Sequence, residues 1–445
     1  MRDSLSCAGV RPGSASLADH PTSSSLSTLK AKPYLIFVAT RVPHPPVTGH
    51  FLRTINIVRG LAENFSILFF AFHDKQASAA ARANAESAMR KYCESVFIEE
   101  VPAEKSRARA IWDLVVATAT LRPFVARKYR SRRMRRAIGD ALRTKDVILA
   151  HGDSLPSGQY LKHLSCPALL TNHNVEHLRL SSYAQIQTSY IMRLAYQIQA
   201  RLTKRYERRL LREIQNCVVV SESDRRELAR LAPGARLFVV SNGTDASRPP
   251  LPAPPAGSKT AIWVGGMNDE YNREAVLYFA KDIMPIIRRE IPDFRWLVVG
   301  RDPPPALVKM AALAAAGIEL VGFVDDLGQH YSDSAIAVVP LTSGGGTKLK
   351  TLEAMAMGRA IVTTPIGAEG IPVSDGVTME IADSPGQFAA KTIALLRDPA
   401  RAARIAAAAR ALIEQSYDWK AINAEMHQAV QCVIAGATAH KGTAP

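Results

Sequence analysis

Residues 343–358 read Ser-Gly-Gly-Gly-Thr-Lys-Leu-Lys-Thr-Leu-Glu-Ala-Met-Ala-Met-Gly and form the most informative segment of the chain. An apolar run at 335–341 precedes this segment and another at 360–364 follows it, and each run predicts a buried strand. Thr347 is a typical N-cap residue, and the sequence after it predicts a helix over 348–357 that stops at the closing glycine. Strand, loop, helix and strand in this order predict a βαβ unit.

The glycines of this segment suit a phosphate-binding loop. They carry no side chain, so a phosphate can approach the backbone, and the start of a helix offers free N–H groups and the positive end of its dipole. An ordinary βαβ turn would also use glycines, and this alternative stays open for a glycine loop taken alone. The predicted loop contains Gly345, Gly346 and Thr347.

Charged residues of the same segment fit the other parts of a nucleotide. Lys348 and Lys350 place positive charge beside the predicted phosphate site. Glu353 lies at least one turn inside the helix, and its carboxylate is a hydrogen-bond acceptor suited to the paired hydroxyls of a ribose. Together these residues predict a nucleotide site at the start of this helix.

The sequence Glu353-Ala-Met-Ala356 resembles the donor-site signature of glycosyltransferase family 4, the retaining nucleotide-sugar enzymes of GT-B architecture. In that family the Glu in this context binds the nucleotide ribose, so the resemblance implies the same role for Glu353. Many members carry another Glu eight positions earlier that contacts the donor sugar. This chain has Gly345 there and follows the glycine-rich variant of the motif.

The resemblance extends from about Lys32 to a predicted helix at 417–433. The segment 262–267 resembles the first strand and phosphate-facing turn of the family's donor domain. Many members pair an Arg and a Lys after this strand with the diphosphate. Here only Arg273 stands near that place, so the resemblance implies that Lys348 or Lys350 takes up part of the phosphate charge.

Two histidines follow predicted strands of the N-terminal half. His173 lies in Asn-His-Asn-Val-Glu, which resembles the segment where many family members place a His near the acceptor and the reacting sugar carbon. His151 ends the preceding strand and is our second candidate. A neutral imidazole could hydrogen-bond the donor sugar or orient the acceptor hydroxyl. A single His at a strand end is otherwise often structural.

A glycine near the first strand completes the candidate site. Family members usually have paired glycines after this strand, near acceptor and donor phosphate, and this chain has Gly49-His50. The alternative is a turn set by the neighbouring prolines and one glycine. Arg53, one turn into the helix that follows, could face the same cleft.

Strands and helices alternate in both halves of the chain, which predicts an α/β protein with two doubly wound parallel sheets. The resemblance implies that these sheets form the two Rossmann-like domains of the GT-B fold. The expected parts are a disordered tail at 1–30, an acceptor-binding domain at 31–245, a Pro-rich linker at 246–259, a nucleotide-sugar-binding domain at 260–415 and a C-terminal helix at 416–435 that packs back toward the first domain. Ligands should bind in the cleft between the two sheets.

Composition restricts the class of protein. The sequence contains no run of eighteen apolar residues, so it predicts no membrane-spanning helix. The N-terminus lacks a signal-peptide pattern. The five cysteines are scattered without metal-ligand spacing, which is typical of free thiols in a reducing cytosol. Neither predicted phosphate turn contains Asp-x-Asp, so we expect no metal ion, and no cofactor other than the nucleoside diphosphate sugar as co-substrate.

Charge is divided unequally between the halves. Residues 1–245 contain 37 Lys and Arg against 20 Asp and Glu, whereas residues 260–445 contain 17 against 20. Two basic runs, 121–145 and 193–213, lie in the first half and are expected to be helical. Either run alone could be a solvated helix face, but two in one domain favour an anionic partner such as an anionic membrane surface or a polyphosphate.

Together with these observations, the resemblance implies a metal-independent retaining glycosyltransferase that moves a sugar from a nucleoside diphosphate sugar to a glycan or lipid-linked acceptor. The expected pathway is surface or exopolysaccharide synthesis. The protein itself is expected in the cytoplasm, peripheral to the inner face of the membrane. Two alternatives remain. One is a nucleotide-sugar epimerase of the same fold, which needs no acceptor. The other is a basic nucleic-acid-binding protein, although no nucleic-acid motif is visible and aromatic residues make up only 7% of the chain.

Overall fold

The computed structural model describes residues 32–46, 48–102, 112, 116–117, 119–187, 189–247, 249–313, 317–344 and 346–441. The predicted tail at 1–30 lies outside the described residues, as does Gly345 of the predicted phosphate loop.

Seven parallel strands form the first sheet, in the order β3-β2-β1-β4-β5-β6-β7. Several of these strands are apolar along most of their length because helices cover both faces of the sheet. Their bounds are β1 Tyr34–Val38, β2 Ser66–His73, β3 Ser95–Glu100, β4 Val147–Gly152, β5 Ala168–Asn172, β6 Asn216–Val219 and β7 Arg236–Val239.

A short 3₁₀-helix over Leu155–Tyr160 follows β4, and the described α-helices of the first half connect these strands. They are α1 Gly49–Ala62, α2 Ala79–Arg90, α3 Phe124–Lys128, α4 Arg132–Thr144, α5 Glu176–Ile186, α6 Tyr190–Ile214 and α7 Glu222–Leu231. Both basic runs are therefore mainly helical, as the sequence predicts. The first run is divided between α3 and α4, and the second lies inside α6.

Six parallel strands form the second sheet, in the order β10-β9-β8-β11-β12-β13. Their bounds are β8 Thr260–Val264, β9 Arg295–Val299, β10 Ile318–Gly322, β11 Ile336–Val339, β12 Ala360–Thr363 and β13 Glu380–Ile381. Two doubly wound parallel sheets confirm the predicted fold class. The sequence analysis did not predict β13, because a strand of two residues is too short to show a pattern.

The described helices of the second half are α8 Glu270–Tyr278, α9 Met284–Glu290, α10 Pro305–Ala311, α11 Gly328–Ser332, α12 Leu349–Ala356, α13 Pro385–Arg397, α14 Pro399–Ser416 and α15 Trp419–Lys441. A short π-helix over Phe279–Ile283 joins α8 to α9.

The last helix belongs to the core of the first half. Ile422, Met426 and Val430 of α15 are buried in one apolar cluster with Ile57 and Leu61 of α1. The chain therefore returns to the first sheet after it completes the second.

Strand order fixes where a ligand can bind. In each sheet the order reverses beside the first strand, between β1 and β4 in one and between β8 and β11 in the other. Side chains beyond the carboxyl ends of such strands line a crevice, which is the usual ligand site of doubly wound sheets. The segments after these four strands contain Gly49, Asp153, Gly265 and Lys350.

Candidate active site

The predicted N-cap of α12 is wrong. The N-cap is Lys348, which makes no side-chain capping bond, and the helix begins at Leu349. The hydroxyl of Thr347 instead donates to the backbone oxygen of Val220 in the first half, at 3.2 Å. The backbone oxygen of Thr347 accepts a hydrogen bond from Nδ2 of Asn242 at 3.0 Å. Thr347 therefore joins the two halves across the cleft, and its hydroxyl is not available to cap the helix.

Gly346 brings the loop before α12 against the segment that contains His173. Its φ of +71° is one that side chains rarely adopt. A Cβ atom built on Gly346 would lie 3.3 Å from Oδ1 of Asn174 and 3.4 Å from the backbone oxygen of His173. Two predicted site segments, one from each half of the chain, thus meet here.

Gly49 lies on the opposite side of the same junction. It is the first residue of α1, whose N-cap Thr48 accepts a hydrogen bond from the backbone N–H of Phe51 at 3.3 Å. A Cβ atom on Gly49 would overlap Cδ1 of Leu349, so a larger residue would displace that side chain. The N-termini of α1 and α12 are therefore in close contact.

Lys350 lies beside the turn that follows β8. Its Nζ atom donates to Oδ1 of Asn272 at 2.5 Å and lies 4.6 Å from the ring centre of Trp263. Asn272 in turn donates from Nδ2 to the backbone oxygen of Gly266 at 2.6 Å. Burial, and then the positive charge of Lys348, lower the pKa of Lys350 to about 7. An anion bound here would restore the charged form.

The other two predicted cations are differently engaged. The Nζ atom of Lys348 donates to the backbone oxygen of Gly346 at 2.9 Å and lies 3.6 Å from a carboxylate oxygen of Glu369. Burial lowers the pKa of Lys348. Arg273 is exposed on α8 and donates to the backbone oxygen of Asn268 at 3.1 Å. The described contacts therefore join Lys350 to the turn after β8 but leave Arg273 outside that cluster.

Glu353 offers a carboxylate that is half-buried on α12. Burial raises its pKa to about 7, and the charge of Lys350 opposes this shift. Within the described part of the chain, the carboxylate makes no hydrogen bond. A partly exposed carboxylate without a protein partner can accept hydrogen bonds from the hydroxyls of a ligand, so Glu353 suits the ribose-binding role that the sequence suggests.

His173 belongs to the half of the chain opposite Glu353, and it lies in a cluster with Asp153 and His50. Its Nε2 atom lies 2.7 Å from the backbone oxygen of Asp153 and 3.2 Å from Oδ1 of that residue. A carbonyl oxygen only accepts, so Nε2 carries the proton. The rings of His50 and His173 meet edge to face with centroids 4.3 Å apart. Burial, and then His173, lower the pKa of His50 to about 3, which keeps that ring neutral.

Asp153 contributes the buried carboxylate of this cluster, with 1% of its surface exposed. Its Oδ2 atom accepts a hydrogen bond from the hydroxyl of Thr54 in α1 at 2.5 Å. Burial alone would raise its pKa, but His173 and then His50 hold it well below the usual range. Asp153 therefore stays ionised and orients His173.

The same three residues are the group of potential metal ligands found among the described residues, with ligand atoms within 4.8 Å of one another. Nε2 of His173, however, is already a proton donor to the backbone oxygen of Asp153, so that nitrogen is engaged within the protein.

His151 occupies a different environment. It has no exposed surface, its Nε2 atom lies 2.7 Å from the hydroxyl of Thr171, and its ring packs edge to face on Phe37 with centroids 4.7 Å apart. Burial lowers its pKa to about 4. A group with no accessible atom is poorly placed to touch an acceptor, so this geometry favours a packing role.

Four residues that sequence reasoning did not select complete the arrangement: His50, Asp153, Asn272 and Glu207. Asp153 and His50 adjoin residues that the sequence did suggest, and their positions after β4 and β1 were a usable signal. The sequence around Asn272 gave no such signal, because the role of Asn272 depends on the approach of Lys350. Glu207 lies inside α6, and its carboxylate accepts the backbone N–H of Glu176 at 2.8 Å and Nδ1 of His177 at 2.6 Å.

Arg53, suggested as a cleft residue, is buried and structural. Its guanidinium donates to the backbone oxygens of Ser241 and Val240 at 2.6 and 2.8 Å, and to Oδ1 of Asn242 at 3.2 Å. It therefore ties α1 to the segment after β7, which also bonds Thr347.

Known protein families account for most of the chain. Residues 52–248 match the family model described as Glycosyltransferase Family 4, and residues 258–398 match the model described as Glycosyl transferases group 1. The two matches meet near the Pro-rich segment that separates the sheets.

Curated relatives give partial matches. The chain is 28% identical over 297 residues to glycogen synthase of Mycobacterium tuberculosis, which covers 64% of this chain and 66% of that protein. It is 27% identical over 167 residues to an uncharacterized 44.6 kDa protein in the cps region of Klebsiella pneumoniae, covering 36% and 43%. The chain thus spans less than two thirds of the length of these relatives.

Solved structures share the fold over almost the whole length. Sucrose-phosphate synthase of Thermosynechococcus elongatus superposes with a TM-score of 0.67 at 17% identity, covering 91% of this chain and all of that one. Anabaena HepE in complex with UDP-glucose gives 0.60 at 14% identity, covering 90% and 99%. TarM gives 0.61 at 11% identity, covering 91% and 100%. Among the described residues, each helix is too short or too polar to cross a bilayer.

Proposed function

The chain belongs to the GT-B glycosyltransferases of family 4, and from this premise we propose that it is a retaining glycosyltransferase that uses a nucleoside diphosphate sugar. The observation that carries the proposal is the position of Glu353, a half-buried carboxylate with no hydrogen-bond partner in the described part of the chain. It lies one turn from Lys350, on the helix whose first residue touches α1 and whose preceding loop touches the His173 segment.

The donor would lie along α12 and the turn after β8. Glu353 would accept hydrogen bonds from the ribose hydroxyls, and the free N–H groups at the start of α12 would face the diphosphate. Lys350, held by Asn272 at 2.5 Å, would supply the charge that stabilises the departing diphosphate. These groups can stabilise the leaving group without a metal ion, so we propose a metal-independent reaction.

The acceptor would enter from the side of His173. Its protonated Nε2 is bound to Asp153, which leaves Nδ1 as the acceptor atom of a ring held in fixed orientation. Retention requires either attack on the face from which the diphosphate departs or a double displacement. Thr54 and His173 occupy both oxygens of the buried Asp153, so this carboxylate is a poor nucleophile. We therefore favour attack on the departing face.

The acceptor class follows from charge and from the family. The basic first half suits an acceptor at an anionic surface, so a lipid-linked or growing glycan of surface or exopolysaccharide synthesis is the proposed acceptor, at the cytoplasmic face of the membrane. HepE holds UDP-glucose in its crystal structure, so UDP-sugars are the first donors to test.

An epimerase of the same fold is disfavoured, because both matching family models describe glycosyltransferases and two of the similar proteins are named glycogen synthase and sucrose-phosphate synthase. A function in nucleic-acid binding would use the basic surface but would leave the Glu353 site without a role.

Thermal-shift measurements against UDP-, GDP- and ADP-sugars, followed by a transfer assay with the stabilising donor, test the proposal. A selective rise in melting temperature and release of the nucleoside diphosphate only when an acceptor is present support it. Conversion of the donor to an epimer without acceptor, or the absence of any nucleotide effect together with salt-dependent binding to DNA, would overturn it.

A further inference from the structure

One exposed face of α6 changes character along the helix. Its residues recur at steps of three, four and seven, which places them on one side of an α-helix. The first two are apolar and the next four are arginines. In chain order they are Tyr190, Leu194, Arg201, Arg205, Arg208 and Arg212, and all are exposed.

The apolar end of this face is unusually accessible. Tyr190 has 76% of its surface exposed, the adjacent Ile191 has 77% and Leu194 has 43%. Single exposed apolar residues are ordinary, but three large ones together at the end of a helix mark a contact surface. Farther along α6, its inner face is buried through Thr203, Glu207 and Leu210, so the helix is firmly attached while its first turns stay accessible.

The arginines at the basic end of this face carry positive charge that no described carboxylate neutralises. In the described part of the chain, no carboxylate pairs with Arg201, Arg205, Arg208 or Arg212, whereas the neighbouring Arg209 lies 2.7 Å from Glu213. The start of α3 is also attached to this helix, since the N–H of Phe124 donates to Oε1 of Gln199 at 2.9 Å. The second basic run therefore adjoins the first.

We propose that this face of α6 docks on a bilayer that contains anionic lipid, with Tyr190, Ile191 and Leu194 entering the acyl-chain boundary and the arginines lying at the phosphates. A bilayer interface accommodates both ends of such a face, because it offers an apolar layer directly below a negatively charged one. Nucleic acid would match only the arginines. A second copy packed on this face would place its own four arginines against these four or against the apolar residues.

Docking by α6 also bears on the acceptor. Glu207 of α6 holds the backbone N–H groups of Glu176 and His177 at 2.8 and 3.3 Å, and α5 begins there, three residues after His173. These hydrogen bonds thus join the docking helix directly to the segment that follows His173. On this basis, which rests on the proposed function, the acceptor is carried on a lipid in the same bilayer.

Flotation with vesicles of phosphatidylcholine, with and without phosphatidylglycerol, tests the docking face. Wild type should float with the anionic vesicles. Changing Tyr190→Asp with Leu194→Asp, or the four arginines to Gln, should each lower binding by about tenfold or more. These side chains are exposed, so circular dichroism and melting temperature should stay unchanged.

Matched controls come from the second half of the chain. Val308→Asp is the same kind of change at an apolar residue with 44% of its surface exposed, and the four exposed residues Lys281, Arg289, Lys309 and Arg404 changed to Gln remove equal charge. Both controls should bind like wild type. Equal losses in the controls, or full binding by the Tyr190→Asp, Leu194→Asp variant, would overturn insertion through α6.

Other occupants have distinct outcomes. Self-association of wild type in lipid-free solution that the Tyr190→Asp, Leu194→Asp change abolishes would assign the face to a second copy and overturn the proposal. Titration with a UDP-sugar separates the two proposals: donor binding without vesicle binding overturns only the docking face. Vesicle binding without any binding of a nucleotide sugar overturns only the proposed function.

Discussion

The Nε2 atom of His173 lies 2.7 Å from the backbone oxygen of Asp153, and this one bond fixes which ring nitrogen carries the proton. The ring cannot turn without breaking it, and the ionised carboxylate of the same residue lies 3.2 Å away. A histidine so held presents its other nitrogen in one direction, which a group that contacts substrate requires.

Replacement of His173 by Ala should reduce sugar transfer by roughly 10²- to 10⁴-fold, the usual contribution of a positioned proton-transfer or hydrogen-bonding group. Binding of the free nucleoside diphosphate should change little, because the proposed nucleotide contacts lie on α12. Single-turnover transfer and nucleotide titration measure the two effects separately.

His151→Ala is the comparison for that experiment. His151 has no exposed surface and bonds Thr171, so its loss should lower the free energy of unfolding by about 1–3 kcal/mol while the folded protein still transfers sugar. Loss of transfer in the His151 variant with normal transfer in the His173 variant would reverse the proposed roles.

Glu353→Gln should weaken binding of the nucleotide by about tenfold to a hundredfold, since charge-assisted hydrogen bonds contribute roughly 1.5–3 kcal/mol each. The fold should not suffer, because burial already disfavours the ionised carboxylate and raises its pKa to about 7. Isothermal titration with UDP gives the affinity. Glu319→Gln, at a solvent-exposed carboxylate paired with Arg295 at 2.5 Å, is the control and should bind as wild type; equal affinities for all three proteins would exclude the ribose role.

Glu207→Gln should destabilise the protein by about 1–3 kcal/mol. The carboxylate of Glu207 is buried and accepts three N–H groups of Glu176 and His177, and an amide would turn a donor toward one of them. Chemical denaturation measures the change. Glu213→Gln, six residues along the same helix and partly exposed, should cost far less. A Glu207 variant as stable as wild type would show that the start of α5 does not depend on this carboxylate.

The sequence was sufficient for the fold because apolar runs and glycines mark strands and loops locally. The βαβ unit around 343–364 shows this: both strands and the stop at Gly358, where φ is +71°, are present in the structure. The N-cap was misassigned because Thr347 bonds Val220, which is 127 residues away in the sequence. No local pattern reports a contact between two domains.

The candidate site was only partly accessible for the same reason. Single residues such as Glu353 and His173 came from motif context, and their roles stay predictions. Asn272 could not be identified, because its function appears only when Lys350 of another helix lies 2.5 Å away. Asp153 looked like the end of a strand, and its place beside His173 depends on a hydrogen bond from Thr54 of α1, which is 99 residues away in the sequence.

Affinity for a UDP-sugar should pass through a maximum near pH 7. In the free protein burial lowers the pKa of Lys350 to about 7, so its charge is complete below that pH and is lost above it. Because the charged ammonium binds the diphosphate, affinity should fall as the pH rises through this pKa. The pKa of Glu353 is raised to about 7, and its ionised form accepts the ribose hydroxyls, so affinity should also fall as the pH drops below it. The phosphates of a nucleotide sugar do not titrate in this range, so the protein alone sets the profile.

Titrations from about pH 5 to about pH 9 measure both limbs. Lys350→Arg, whose guanidinium stays charged, should flatten the alkaline limb, and Glu353→Gln should remove the acidic one. An affinity that is constant across the range, or limbs that survive both changes, would show that these two residues do not face the nucleotide.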